Sequence, residues 1–83
     1  MYTIILEKEA EKFLYKIDRT LVERITKRLH ELEVNPELGK PLVGKLSGLW
    51  SLRIGDYRAI YKIKNKELIV LILKLGHRKN IYG

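Results

Sequence analysis

The chain has 83 residues, 17 lysines and arginines against 10 acidic residues, a net charge of +7, and no cysteine. The lack of cysteine excludes a disulfide framework and thiolate metal ligation. Two cores do not fit in this length, so residues 1–83 read as one domain with a thin core that buries only ~60% of its unfolded surface.

Tyr2 to Leu6 read as a short strand. The N-terminal stretch has no basic region of the signal-peptide kind. The longest apolar run, Leu68 to Leu73, is too short to span a bilayer, so a cytoplasmic protein with no membrane association is expected. Ala10, Phe13, Leu14 and Ile17 then recur at the spacing of an amphipathic helix, with Glu7 and Glu9 suited to the positive end of its dipole. Thr20 to Glu23 form a capping-box pattern, which predicts the start of a second helix with Val22, Ile25, Leu29 and Leu32 as its apolar seam. Asn35-Pro36 ends it, because a residue before proline avoids the helical region. The short link at Asp18-Arg19 makes the two helices an antiparallel hairpin.

Residues 35–48 read as a loop punctuated by Gly39, Pro41, Gly44 and Gly48. The stretch from Leu49 to Tyr61 is the strongest local signal. Gly55-Asp56 divides two alternating apolar runs, which predicts a hairpin with a two-residue turn. That register places Arg53 directly across from Arg58. Trp50, Leu52, Ile54, Tyr57, Ala59, Tyr61 and Ile63 then share one face, and Leu49, Ser51, Arg53, Arg58, Ile60 and Lys62 share the other. A second turn near Lys64 to Lys66 leads to a strand from about Glu67 to Leu75. It is apolar on both faces and therefore interior to the sheet. A three-residue turn would put Lys74 on the arginine face, and a two-residue turn would put it on the core face. The expected architecture is a two-layer α+β domain, β-α-α-β-β-β in order, with the helix hairpin packed on a mainly antiparallel twisted sheet.

Charge is distributed as unevenly as apolarity. Residues 1–37 carry seven basic and eight acidic residues, and residues 38–83 carry ten basic and two acidic. A one-sided positive field attracts polyanions, whether nucleic acid or an acidic protein; a solvated basic face has the same composition. Two arginines facing each other across strands repel, a cost that an anion between them removes. Neither a metal nor a cofactor is expected: His30 and His77 lie far apart, no HxxxH or DxD spacing occurs, and no Gly-rich phosphate loop precedes a helix. Metal-free cleavage of RNA fits the residues better. It requires a base, an acid and cations for charge developing on phosphorus. Arg53, Arg58 and Arg78 are the candidate cations, and Lys62 a further phosphate contact. His77 is the candidate acid or base, and Tyr82 the group to stack on a nucleobase or donate a proton. Read structurally, the same residues are solvated strand positions, a surface histidine and a tyrosine capping the core.

Several segments taken together resemble the RelE/ParE toxin superfamily, with the RelE branch the closer match. They are Asn35-Pro36, Gly39-Lys40-Pro41-Leu42, Gly44-Lys45-Leu46, Gly48-Leu49-Trp50, Arg53, Gly55-Asp56-Tyr57-Arg58, Ile60-Tyr61, Gly76-His77-Arg78 and Tyr82. The resemblance implies the toxin of a type II toxin–antitoxin pair, a ribosome-dependent mRNA endoribonuclease that acts in the ribosomal A site without a metal. Its implied partners are a RelB-like antitoxin, mRNA and ribosomal RNA. By position, Arg58 matches the family's phosphate-binding arginine, Arg78 the arginine after the last strand, and Tyr82 the C-terminal tyrosine, at a shorter spacing from Gly76. Leu49 and Ser51 stand where the best-known member has two strand lysines, so Lys45, Lys74 or His77 would have to compensate. A ParE-like inhibitor of DNA gyrase, or an inactive antitoxin-binding module, would share the same fold.

Overall fold

The computed structural model describes residues 1–81. Seven regular elements follow in chain order: β1 (Thr3–Leu6), α1 (Lys8–Lys16), α2 (Arg19–His30), β2 (Lys40–Pro41), β3 (Trp50–Ile54), β4 (Tyr57–Lys64) and β5 (Ile69–His77), with short 3-10 turns between α2 and β3. The sheet order is β1-β5-β4-β3-β2; β1 runs parallel to β5 and every other pair is antiparallel. This is the expected α+β order with one extra edge strand, β2, formed by two residues of the segment expected to be loop.

The helices cover one face of the sheet. Ala10 of α1 and Ile25 and Leu29 of α2 are buried against Leu52, Ile54, Ala59, Tyr61, Val70, Ile72 and Leu75, with Phe13, Leu14 and Leu21 packed around them. Burying one such aliphatic or aromatic side chain contributes about 1.5–3 kcal/mol. The start of α2 differs from the expected capping box. Its N-cap is Asp18, in extended conformation, whose carboxylate accepts a hydrogen bond from the Leu21 N–H at 2.8 Å. Thr20 lies inside the first turn. An acidic cap two residues earlier satisfies an orphan N–H and also meets the helix dipole, so it outcompetes the threonine. The chain leaves α2 through a 3-10 turn, Glu31–Glu33, before Asn35.

The β3–β4 hairpin has the expected register: Trp50 pairs with Tyr61, Ser51 with Ile60, Leu52 with Ala59, Arg53 with Arg58 and Ile54 with Tyr57. Gly55 supplies the positive φ of 62° that the turn needs. The β4–β5 connection differs from both turn lengths considered. Four residues, 65–68, separate Lys64 from its partner Ile69, and the register then slips by one, since Tyr61 pairs with Ile72 but Ile60 with Lys74. The extra residue at this bulge is Leu73. It reverses which side chains of β5 face the helices and delivers Lys74 to the arginine face.

A candidate phosphate-binding face

The sheet face away from the helices carries the arginines. Part of it is covered by side chains from the segments flanking the strands. Ile60 and Ser51 on this face are 5% and 3% exposed, and Ile81, from the turn after β5, is 2% exposed. Ile81 packs over Gly76, where an added Cβ would sit 3.5 Å from its Cδ1. Leu46, Leu49, Ile60, Leu73, Lys74 and Ile81, with Glu9 of α1, line an apolar recess of about 250 Å³. Lys74 therefore sits half-buried beside aliphatic side chains, separated by Ile60 from the rest of its row.

The polar half of the face lies nearer β2. Pairing across strands aligns Lys40, Ser51, Ile60 and Lys74 in one row, and Arg53, Arg58 and Gly76 in the next. Arg58 Nη1 donates to Ser51 Oγ at 3.4 Å, and Arg53 Nε donates to the Gly55 carbonyl at 3.2 Å within its own turn. Lys40, Ser51, Arg53 and Arg58, together with Leu38 and Arg28, line a groove of about 250 Å³. Among the described residues no carboxylate forms an ion pair with Lys40, Arg53 or Arg58. Four cationic side chains thus line one groove whose lining includes no acid, an arrangement that favours an anion.

The cationic surface continues around the edge of β3. β2 covers only Trp50 and Ser51, so β3 beyond Ser51 borders a wider groove of about 500 Å³ lined by Arg24, Lys27 and Arg28 of α2, by Glu31 of the 3-10 turn that follows it, and by Arg53, Ile54 and Gly55. The three α2 residues lie at i, i+3 and i+4, one stripe of the helix that Glu31 continues into the 3-10 turn. Arg24 sits against the hairpin turn: a Cβ on Gly55 would meet its Nη2 at 2.9 Å. Arg28 lines both grooves and pairs with Glu31 at 3.0 Å. Sequence reasoning passed over this stripe because residues 1–37 are nearly neutral in total.

The other expected site residues are dispersed. Arg78 is exposed, and its backbone N–H donates to the Asp56 carbonyl at 2.9 Å, tying the end of β5 to the hairpin turn. His77 pairs with Tyr57, and its ring meets the Tyr57 ring edge-on at 5.5 Å, while Tyr57 contacts Phe13 of α1 at 6.0 Å. His77 is therefore on the helix side of the sheet, the face opposite Arg58. Its Nδ1 accepts from the Lys79 N–H at 3.3 Å. Lys45 lies exposed in a 3-10 turn, and Lys62 is exposed opposite Leu71. Tyr82 lies outside the described residues.

β2 holds its place through Tyr61. The Tyr61 hydroxyl donates to the Pro36 carbonyl at 2.7 Å and accepts from the Gly39 N–H at 3.1 Å. Burial pushes this hydroxyl above its ordinary pKa of 10.0. A Cβ on Gly39 would come within 2.5 Å of the Ser51 carbonyl oxygen, so only glycine allows the segment to lie this close to β3.

The family described as "ParE toxin of type II toxin-antitoxin system, parDE" matches residues 4–82. The toxin RelG of Mycobacterium tuberculosis is 35% identical over 83 residues, covering 98% of this chain and 95% of the relative. The structure is similar to that of the toxin–antitoxin complex RelBE2 from Mycobacterium tuberculosis, with a TM-score of 0.86, 32% identity, and coverage of 93% of this chain and 98% of that one. It is also similar to the archaeal RelE–RelB complex from Pyrococcus horikoshii, with a TM-score of 0.75, 29% identity, and coverage of 95% and 97%.

Proposed function

The chain belongs to the RelE/ParE family of type II toxin–antitoxin toxins, on its RelE-like branch, and from that premise we propose that it is a ribosome-dependent, metal-independent mRNA endoribonuclease. The observation that carries this reading is the facing pair Arg53 and Arg58, set with Lys40 in a groove whose lining includes no acid. In the proposed reaction the 2′-hydroxyl attacks the adjacent phosphorus and the P–O5′ bond breaks. A 2′,3′-cyclic phosphate and a free 5′-hydroxyl result. One proton leaves the 2′-oxygen for a base and another reaches the departing 5′-oxygen.

Arg58 is the residue assigned to the scissile phosphate. Preorganised donors at such a site act on charge that develops only in the transition state. Arg53 and Arg78 add charge at its margins, and Lys45 and Lys62 hold flanking phosphates, whereas Lys74, lodged in the apolar recess, is not assigned a phosphate. Tyr82 is assigned to stacking on a base or donating a proton. His77, packed against Tyr57 on the helix side, steadies the strand end that carries Arg78 rather than shuttling the proton. The partner that silences the protein is a RelB-type antitoxin whose acidic or amphipathic segment covers the arginines. RelE–RelB complexes are among the similar solved structures. The cytoplasm is the proposed compartment; among the described residues no helix is long and apolar enough to cross a membrane.

The test is primer extension on mRNA in a reconstituted translation reaction, with and without ribosomes. Cuts confined to translated mRNA, and lost in Arg58→Ala, are expected. One observation favours a second reading: Leu49 and Ser51 stand where lysines are expected, and a gyrase poison of the ParE kind needs no cleavage residues. Gyrase-dependent DNA breaks without mRNA cuts would select that reading.

A further inference from the structure

We propose that Lys40 is a substrate-contacting ammonium of the phosphate site, supplying from the edge strand β2 the charge that Leu49 and Ser51 do not provide from the neighbouring stretch. The inference deepens the reading above and rests on it for the cleavage step, but not for phosphate binding.

Three observations converge. The first is register. Lys40 pairs with Ser51, whose hydroxyl receives the Arg58 guanidinium, so the Lys40 and Ser51 side chains leave the same face side by side. A lysine on β2 at this point starts from the strand adjacent to Ser51 and enters the groove that a lysine at Ser51 would enter. The second is location. Of Lys40, Lys45 and Lys74, Lys40 lines the groove with Arg53 and Arg58. Lys74 lines the apolar recess instead, and Lys45 stands in an exposed 3-10 turn. The third is anchorage. A two-residue strand would ordinarily fray, but this one is tied on both sides. Tyr61 binds Pro36 and Gly39 just before it, and the Leu42 N–H donates to the Leu49 carbonyl at 2.8 Å just after it. A flexible side chain on a fixed backbone point is the condition for placing a charge reproducibly.

The chemistry asked of Lys40 is electrostatic. Its ammonium neutralises a non-bridging phosphate oxygen as negative charge accumulates there, and no proton needs to leave it. Lysine does this as a point charge, without the bidentate geometry of arginine.

The experiment compares Lys40→Ala with Lys16→Ala, an equal change of charge on the last turn of α1. The first readout is binding of a 2′-O-methylated, uncleavable trinucleotide to the free protein as a function of salt. Lys40→Ala is expected to weaken binding several-fold more than Lys16→Ala and to lower the slope of log K against log salt by about 0.7, the value for one phosphate contact to a single strand. The second readout is single-turnover cleavage on programmed ribosomes, where a loss on the order of 10²-fold is expected for Lys40→Ala. Lys40→Arg should retain most activity. Lys40→Ala with Ser51→Lys should regain part of it, because the charge returns from the adjacent strand. Should the double variant not fold, the comparison of Lys40→Arg with Lys40→Ala decides. Binding and cleavage by Lys40→Ala equal to those of Lys16→Ala overturn the proposal, as does a wild-type protein that does not bind the trinucleotide. A Lys40-dependent affinity with no cleavage by any variant would leave Lys40 as a phosphate contact and overturn the nuclease reading alone.

Discussion

Replacing Tyr61 with phenylalanine isolates what one hydroxyl contributes to the site. The ring remains in the core, stacked on Trp50 with centroids 6.3 Å apart. Two hydrogen bonds disappear, one donated to the Pro36 carbonyl and one accepted from the Gly39 N–H. A typical intramolecular hydrogen bond is worth about 1 kcal/mol net, and the orphaned groups at Pro36 and Gly39 are only partly buried, so water recovers some of their hydration. The expected destabilisation is about 2 kcal/mol, which in a domain of this size lowers Tm by roughly 8–16 °C. The loss should be local. In urea, the midpoint falls with an unchanged m-value, and amide exchange accelerates at Gly39 and Leu42 more than at the β4–β5 ladder.

The same variant carries a pH signature. Burial raises the Tyr61 hydroxyl above 10.0 in the folded protein, so between the unfolded and folded values the unfolded chain has lost a proton that the native chain keeps. The native state then binds more protons, and stability falls as pH climbs past the unfolded value. Phenylalanine removes that slope. The stability gap between wild type and Tyr61→Phe should be constant from about pH 6 to pH 9 and shrink above about pH 10. A destabilisation below about 0.5 kcal/mol, or one that spreads evenly over the exchange profile, would refute the latch as the device that holds β2.

Arg58→Ala is expected to cut ribosome-dependent cleavage by about 10²-fold or more while leaving the urea midpoint unchanged or slightly higher, because it also relieves the cross-strand repulsion with Arg53; a variant that keeps full activity would remove Arg58 from the site. Neutralising the α2 stripe with Arg24→Gln and Lys27→Gln should weaken ribosome association at low salt and flatten its salt dependence, read by filter binding across a salt series. Leu68 holds a φ of 56° in the β4–β5 turn. Relieving its left-handed strain of about 1–2 kcal/mol with glycine, less about 0.5–1 kcal/mol of added unfolded-state entropy, should raise stability by at most about 1.5 kcal/mol in a urea titration.

The hairpin was legible because its signals agree. A two-residue turn, strict alternation and one buried face leave a single register, and Arg53 falls opposite Arg58 as that register requires. Nothing comparable fixes Lys74. Residues 68–73 are apolar without alternation, so the bulge at Leu73 that decides its face leaves no periodic trace. His77 follows from the same slip. It qualifies as an acid–base candidate by chemistry, yet the shifted register turns its ring toward Tyr57 and the helices. β2 escaped notice because two residues carry no pattern. The available cue was Lys40 preceding Pro41, which favours extended backbone, with Gly39 permitting close approach. The residue that matters there is recognised only once Tyr61, more than twenty positions away, is seen to hold the segment down.

The arginine pair has a thermodynamic consequence that links activity to inhibition on the proposed reading. Arg53 and Arg58 face each other with no carboxylate ion-paired to either among the described residues, so the free protein carries a repulsion that any correctly placed anion relieves. On that reading a phosphate of the message and an acidic side chain of the antitoxin would draw on that same relief and therefore exclude each other. The apolar recess beside Lys74 separates the two ligands. Leu46, Leu49, Ile60, Leu73 and Ile81 offer an amphipathic segment a hydrophobic seat that a phosphodiester backbone cannot use. Added salt screens the charge contacts of both ligands but leaves the hydrophobic one intact. Rising ionic strength should therefore favour the silenced complex over the engaged one.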